Sequence, residues 1–197
     1  MTKVIGLTGN IGFGKTAVAA MLRRLGAEFV DADVVVHGLL GPGGPLPKLV
    51  AQKFGHEVIG ADGGVDRQAL ARIVFADPRA LGKLERLVHP AVRREVDERI
   101  ARSRAPVLVV EAIKLIESGM YRRYDQIWVV TCTREQQIER LVRERHMLRE
   151  EAVQRINAQP PPEEKLPFAD VIVDNSGSLD DTWRQVKAAW DRLTGEP

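Results

Sequence analysis

The sequence predicts an α/β fold in which helices cover a five-stranded parallel sheet in three layers. Three observations carry this expectation. Gly9-Asn10-Ile11-Gly12-Phe13-Gly14-Lys15-Thr16 fits G-x-x-x-x-G-K-[ST], a phosphate-binding loop, and stands between a strand-like Val4-Ile5-Gly6-Leu7-Thr8 and a helix-like 17–25. Val107-Leu108-Val109-Val110 is a continuous apolar run, as expected of a central strand buried on both faces. Strand-like and helix-like stretches alternate along 197 residues, enough for one such domain with small insertions.

The loop's spacing has a physical cause. Gly9, Gly12 and Gly14 let the backbone curl so that its N–H groups face a polyphosphate. A helix starting near Lys15 adds unpaired N–H groups and a positive dipole end. Lys15 can bridge the β- and γ-phosphates, and the Thr16 hydroxyl can hold Mg²⁺. Val18, Met21, Leu22 and Leu25 fall on one face of that helix, and Gly26 reads as its C-cap.

A short second strand, Ala27 to Val30, ends in Asp31-Ala32-Asp33. Strand alternation would put both carboxylates on one side, at the edge of the sheet where ligands gather. Two acids there suit Mg²⁺ handling or deprotonation of an acceptor hydroxyl. The competing reading makes one of them, Asp31 above all, the N-cap of a helix from Val34.

Residues 41–47 form a Gly- and Pro-rich loop. From there to about residue 103 the pattern is helical. Lys48 to Phe54 carries Leu49, Val50 and Phe54, and Asp66 to Phe75 carries Leu70, Ile73, Val74 and Phe75. Asp66 and Asp77-Pro78 read as helix starts, and Asp62-Gly63-Gly64 as a turn. His89-Pro90 reads as the start of a last helix with Val92, Val96 and Ile100 as its stripe. Its histidine is open to a structural or a catalytic role. No spacing of the four histidines suits a metal. A helical insertion is the simplest account, and over the carboxyl ends of the strands it would suit an acceptor pocket.

The third strand ends in Glu111, where an acid can stand near magnesium. Ile127 to Cys132 reads as the fourth strand, with Cys132 as a small core residue rather than a nucleophile. The basic stretch from Arg134 to His146 has two readings. One is a solvated helix laced by i,i+4 ion pairs; the other is a lid whose arginines close on a transferred phosphoryl group. Pro160-Pro161-Pro162 ends it. Asp170 to Asn175 reads as the fifth strand, and Leu179 to Leu193 as a closing helix with Trp183, Val186, Lys187 and Trp190 along one side.

Composition narrows the class. Hydrophobic residues at 44% and charged residues at 28% are those of an ordinary soluble domain. A net charge of +2 makes no case for nucleic acid. A single cysteine excludes an internal disulfide and fits a reducing compartment. No apolar run approaches the ~20 residues of a membrane span, and the N-terminus enters the first strand without a signal peptide. The expectation is a cytoplasmic protein, monomeric or a weak homo-oligomer, with no nucleic-acid or membrane partner.

A phosphate loop alone leaves kinase, GTPase, motor and switch open. No Asn-Lys-x-Asp guanine signature occurs, the chain is short for a motor, and no Asp-Glu-Ala-Asp box is present. A P-loop nucleotide-binding core of residues 1–33, 104–133 and 166–197, a helical acceptor insertion over 34–103 and a helical lid over 134–165 is the layout of small-molecule kinases. Lid and insertion can shut water away from a reactive phosphate.

The residues go further. Ile5-Gly6-Leu7-Thr8-Gly9, Val30-Asp31-Ala32-Asp33, Asp66-Arg67-Gln68-Ala69-Leu70, Leu87-Val88-His89-Pro90, Ala158-Gln159 and the stretch from Ala169 through Asp174-Asn175-Ser176-Gly177-Ser178 together resemble the dephospho-coenzyme A kinases. That resemblance implies transfer of phosphate from ATP to the ribose 3′-hydroxyl of dephospho-CoA, with ATP and Mg²⁺ required. It implies Asp33 as general base, Lys15 and the amides of Gly9, Asn10, Ile11, Gly12, Phe13, Gly14 and Thr16 around ATP, and Thr16 on the metal. It further implies Arg140 as a lid arginine at the nucleotide, Arg67, His89 and Glu117 on the acceptor side, and Arg143 or Arg145 as a second closing arginine. The other readings are a kinase for another nucleoside or nucleotide hydroxyl, and a nucleotide-binding regulatory switch.

This chain departs from the family's usual pattern in three places. Asn10 and Phe13 stand where Gly and Ser are usual, which would put the bulk of Phe13 near the phosphates. Ile113-Lys114-Leu115-Ile116-Glu117 replaces Pro-Leu-Leu-Phe-Glu, and Glu144-Arg145-His146 replaces Arg-Asp-Gly.

Overall fold

A computed structural model describes residues 2–195. Its strands β1 (Lys3–Thr8), β2 (Glu28–Asp31), β3 (Val107–Glu111), β4 (Gln126–Thr131) and β5 (Val171–Asp174) form one parallel sheet in the order β2-β3-β1-β4-β5. Leu7 of β1 lies opposite Glu111 of β3 on one side and Trp128 of β4 on the other, and Thr131 lies opposite Asp174 of β5. The phosphate loop, Glu111 and the end of β4 therefore leave the sheet along one edge.

Period-two alternation sorts the sheet's side chains. Ile5, Leu7, Val107, Val109, Trp128, Val130 and Val173 join one buried cluster with Val18 and Leu22 of α1 (Lys15–Arg24) and Val186, Ala189 and Trp190 of α8 (Leu179–Thr194). Val4, Leu108, Val110, Ile127 and Val129 are the alternate positions, and they are buried as well. Burial on both sides is what makes these strands near-continuous apolar runs. Gly6 belongs to this second side, where a Cβ would come within 2.6 Å of Leu115 and 2.7 Å of Tyr124. The strand needs glycine there for room.

Asp31–Arg102 is a compact unit by itself, and the remaining described residues form the sheet-bearing unit. The helical unit holds α2 (Ala32–Leu40), α3 (Pro47–Phe54), α4 (Arg67–Ala76) and α5 (Pro78–Arg102). The long α5 packs against α2, α3 and α4, burying Val88, Val92 and Val96 at i, i+4 and i+8. Asp66 caps α4, accepting from the Gln68 and Ala69 amides, and Pro78 opens α5 as expected.

Three sequence expectations fail here. Asp31-Ala32-Asp33 is not extended; the competing reading of Asp31 as a helix N-cap holds, with α2 beginning at Ala32 and the Asp31 carboxylate accepting the amides of Asp33 at 2.8 Å and Val34 at 3.2 Å. Strand alternation therefore does not relate the two carboxylates. His89-Pro90 does not start a helix either. It lies inside α5, where Pro90 has no N–H to give the Arg86 carbonyl and the apolar stripe keeps the helix continuous across it. Phe75 turns outward, 79% exposed, while Leu70 and Val74 of the same helix are buried four residues apart.

Helices α6 (Arg134–Arg145) and α7 (Arg149–Asn157) follow β4. They share a small core of Ile138, Leu141, Ala152 and Ile156, against which Ile11 of the phosphate loop packs. Among the described residues no helix is long and apolar enough to cross a membrane.

Helix α8 starts with a reciprocal cap. The Ser178 hydroxyl accepts the Asp181 amide at 3.1 Å, and the Asp181 carboxylate accepts the Ser178 amide at 3.1 Å. The Ser178 hydroxyl and amide, then Arg184, hold the Asp181 carboxyl below its ordinary value of 3.8. A depressed folded value means the contribution to stability is present above pH 3.8 and is lost as pH falls through the lowered folded value. Thermal melts of Asp181→Asn and wild type are therefore expected to differ above about pH 4, with wild type the more stable, and to converge as pH falls well below 3.8. A gap that stays constant with pH would show that the cap is not titrating.

Candidate active site

Gly9, Gly12 and Gly14 take φ values of 152°, 74° and 86°, in the region an L side chain avoids. The turn they make carries the chain from the end of β1 into α1. Within it the carbonyls are held by side chains from elsewhere in the unit. Gln137 Nε2 of α6 donates to the Ile11 carbonyl at 2.6 Å. Arg140 Nη1 donates to the carbonyls of Gly12 at 3.4 Å and Phe13 at 3.1 Å, and Asn175 Nδ2 donates to that of Phe13 at 3.0 Å.

In a trans peptide the C=O and N–H of one plane point opposite ways, and no described peptide is cis. Holding the Ile11 and Phe13 carbonyls on the outer side therefore aims the Gly12 and Gly14 N–H groups at the inner side. Directly after them come Lys15, Thr16 and the positive end of α1. Lys15 Nζ lies back over the turn, donating to the Gly9 carbonyl at 2.8 Å and that of Asn10 at 3.4 Å. The arrangement has the form of an anion-binding nest, with the Lys15 ammonium lying over it.

Two loop amides have partners within the protein. Ile11 N–H donates to Gln159 Oε1 at 2.9 Å, and Phe13 N–H to the Asn10 carbonyl at 3.3 Å. Asn10 is 97% buried and its Nδ2 donates to the Pro160 carbonyl at 2.9 Å. Its side chain thus ties the loop to the segment after α7. Phe13 corrects a sequence expectation: its ring is buried in the main core and adds no bulk on the open side of the loop. The turn directs it inward, and only its main chain meets the site.

Behind the loop, Thr8 Oγ1 donates to the Ile113 carbonyl at 3.2 Å. The buried Lys165 ammonium donates to that same carbonyl at 3.1 Å and to Glu117 Oε1 at 2.5 Å. Glu117 is therefore committed to an ion pair that pins the loop after β3 to the segment after α7. Arg143 and Arg145 are exposed, and Arg143 meets the neighbouring Glu144 at 3.3 Å. Cys132 follows β4 instead of ending it, half-buried beside the Gly12 carbonyl at 3.8 Å. Burial pushes its thiol up, Arg140 pulling the other way and Asp174 adding to the rise. It stays a neutral thiol at pH 7, which agrees with a packing role.

A sequence model of the dephospho-CoA kinases matches residues 3–181. This chain belongs to that family. It is 47% identical to the dephospho-CoA kinase of Symbiobacterium thermophilum over 98% of its own length and 82% of that protein's. Against the dephospho-CoA kinase of Aquifex aeolicus it is 42% identical, covering 99% and 100% of the two chains. A crystal structure from Thermus thermophilus superposes with a TM-score of 0.84 at 38% identity, over 98% of this chain and 99% of that one. Shikimate kinase from Acinetobacter baumannii, 15% identical, superposes with a TM-score of 0.55 over 99% and 94%, a likeness of fold.

Within this dephospho-CoA kinase family member, the remaining residues lie in the helical unit. Asp33 sits in the first turn of α2, exposed, with its amide on the Asp31 cap. Arg67 is the first residue of α4 and exposed, and His89 is half-buried within α5. The loop, Lys15, Arg140 and the α1 N-terminus are brought together in the sheet-bearing unit. The sequence marks Asn175 as the end of a strand and Gln159 as part of a matching stretch, and gives neither a role at the site. Gln137 and Lys165 had none. Gln137 carried one signal, its place on the same helical face as Leu141 four residues on.

Proposed function

We propose that this chain transfers the γ-phosphoryl group of ATP to the ribose 3′-hydroxyl of dephospho-CoA, giving CoA and ADP. The observation that carries this is the nest of inward-aimed Gly12 and Gly14 amides, followed by Lys15, in a chain that matches the kinase family almost end to end. Phosphoryl transfer asks chiefly for positioning and charge neutralisation. The nest and the α1 dipole hold the phosphate oxygens. Lys15 leaves the carbonyls of Gly9 and Asn10 for the β- and γ-phosphates. Arg140, at the rim on the Gly12 and Phe13 carbonyls, adds positive charge, and Arg143 or Arg145 supplies a further cation when the lid closes.

Asp33 accepts the proton of the acceptor hydroxyl, while Arg67 and His89 hold the acceptor. Glu117 serves that side indirectly, by fixing the loop after β3 through Lys165. Magnesium fits the donors present: the Thr16 hydroxyl is exposed in the first turn of α1, and Mg²⁺ is ordinarily held by few protein oxygens plus phosphates and water. When bound it neutralises charge on the phosphates. A chain whose only cysteine is a protected thiol suits a cytoplasmic setting.

The test is formation of CoA, followed by mass, from Mg·ATP and purified protein, with a panel of nucleosides and nucleotides as competing acceptors. Only dephospho-CoA is expected to release ADP. The assignment fails if ATP binds but another acceptor alone supports turnover, or if none does.

A further inference from the structure

We propose that Asn175 is a positioning residue for ATP, which sets the direction of the Gly14 amide and the seat of Arg140, and that Thr182 orients it. The inference rests on the ATP reading above and deepens it. Asn175 follows β5 and is 97% buried. All four of its polar groups are used. Its amide donates to the Thr131 carbonyl at 2.9 Å, and its own carbonyl accepts Arg140 Nη2 at 2.7 Å. Side-chain Nδ2 donates to the Phe13 carbonyl at 3.0 Å, and Oδ1 accepts the Thr182 hydroxyl of α8 at 2.9 Å.

The orientation of the carboxamide follows from these partners. A flipped group would set Oδ1 against the Phe13 carbonyl, two acceptors face to face. The buried Thr182 hydroxyl, within reach of Oδ1 at 2.9 Å and of the Ser178 carbonyl at 3.2 Å, donates to the nearer Oδ1 and so supports the orientation that the Phe13 carbonyl sets. The Phe13 carbonyl belongs to the same peptide plane as the Gly14 N–H, so its anchor fixes that amide's direction. A Cβ on Gly14 would strike Asn175 Nδ2 and come within 3.1 Å of Arg140 Nη1. The last loop glycine is thus also the space in which this carboxamide lies. Its side chain thereby links α8 to the loop, its main-chain carbonyl seats Arg140 of α6, and the residue reaches the phosphates only through others.

Asn175→Ala and Thr182→Val are read in steady state well below their melting temperatures, with ATP binding measured separately by calorimetry. Asn175→Ala is expected to raise the KM for ATP about tenfold or more and to lower kcat, with the KM for dephospho-CoA within about twofold, because a misplaced phosphate cradle is costly at short range. Thr182→Val, which removes only the hydroxyl, should give a smaller loss of the same kind. The double variant should match Asn175→Ala, since Thr182 acts through Asn175. A purely structural role would lower melting temperature and leave the ATP parameters alone. An unchanged KM for ATP in every variant that folds, additive losses in the double, or a loss confined to dephospho-CoA each overturns the proposal. If Asn175→Ala does not fold, Thr182→Val carries the test by itself. Wild-type protein that does not bind ATP would instead sink the ATP reading.

Discussion

Asp33→Asn is expected to lower kcat for CoA formation by about 10²-fold or more while ATP binds as in wild type, the effect of removing a positioned base. The substitution is nearly isosteric and keeps hydrogen-bonding capacity, so what it removes is the proton acceptor. Local structure should survive it. The link from residue 33 to the α2 cap runs through its backbone amide, which donates to Asp31 Oδ1 at 2.8 Å whichever side chain is present. An acid in the first turn of a helix is worth only about 0.3–1 kcal/mol through the dipole, too little to unfold the unit.

Asp31→Asn serves as the control. Asn caps as well as Asp does, so that variant should keep its activity and much of its stability. If Asp33→Asn makes CoA at the wild-type rate, the base is elsewhere. Glu117 is then the weaker substitute, since its carboxylate is engaged by Lys165 at 2.5 Å. Glu111, at the end of β3 and in register with Leu7 just before the phosphate loop, becomes the residue to replace.

What could be read from the sequence was local. The phosphate loop has fixed spacing, and its flanking strand and helix repeat at periods of 2 and 3.6, so loop, β1 and α1 stand nearly where the residues put them. The Asp31-Ala32-Asp33 stretch left strand and helix cap both open because an acid can end a strand or cap a helix, and the choice fell to tertiary packing, with Val35 turned inward from α2 and Asp31 closing its end. Pro90 misled for a related reason. Proline marks helix starts, but the stripe of Val88, Val92 and Val96 offsets the one hydrogen bond it forfeits. The buried polar residues could not be found locally at all. Asn175 meets Phe13 across 162 positions, Gln137 meets Ile11 across 126, and Lys165 meets Glu117 across 48. A buried amide or ammonium is recognised by its partners, and these partners are brought together only by the folded sheet.

Phe13→Ser, which installs the residue usual at this place in the family, is expected to cost about 3–5 kcal/mol of stability, as for Phe→Ala in a core. For a chain of 197 residues that is a fall in melting temperature of roughly 6–20 °C. The cause is in the core. The ring is 98% buried, in the cluster that holds Val18 and Leu22 of α1, Trp128 and Val130 of β4, and Trp190 of α8. Serine there leaves a cavity and sets a hydroxyl in an apolar wall. The catalytic effect should be far smaller, with the KM for ATP within a few-fold of wild type. The three bonds that organise the loop at this residue all use its main chain, the carbonyl accepting from Arg140 at 3.1 Å and Asn175 at 3.0 Å and the amide donating to the Asn10 carbonyl at 3.3 Å, and they do not need the ring. A large rise in KM for ATP at unchanged melting temperature would place the ring beside the phosphates after all. A loss in both would mean that the cavity lets the loop shift, and Phe13→Leu, which refills most of the volume, should then restore the two together.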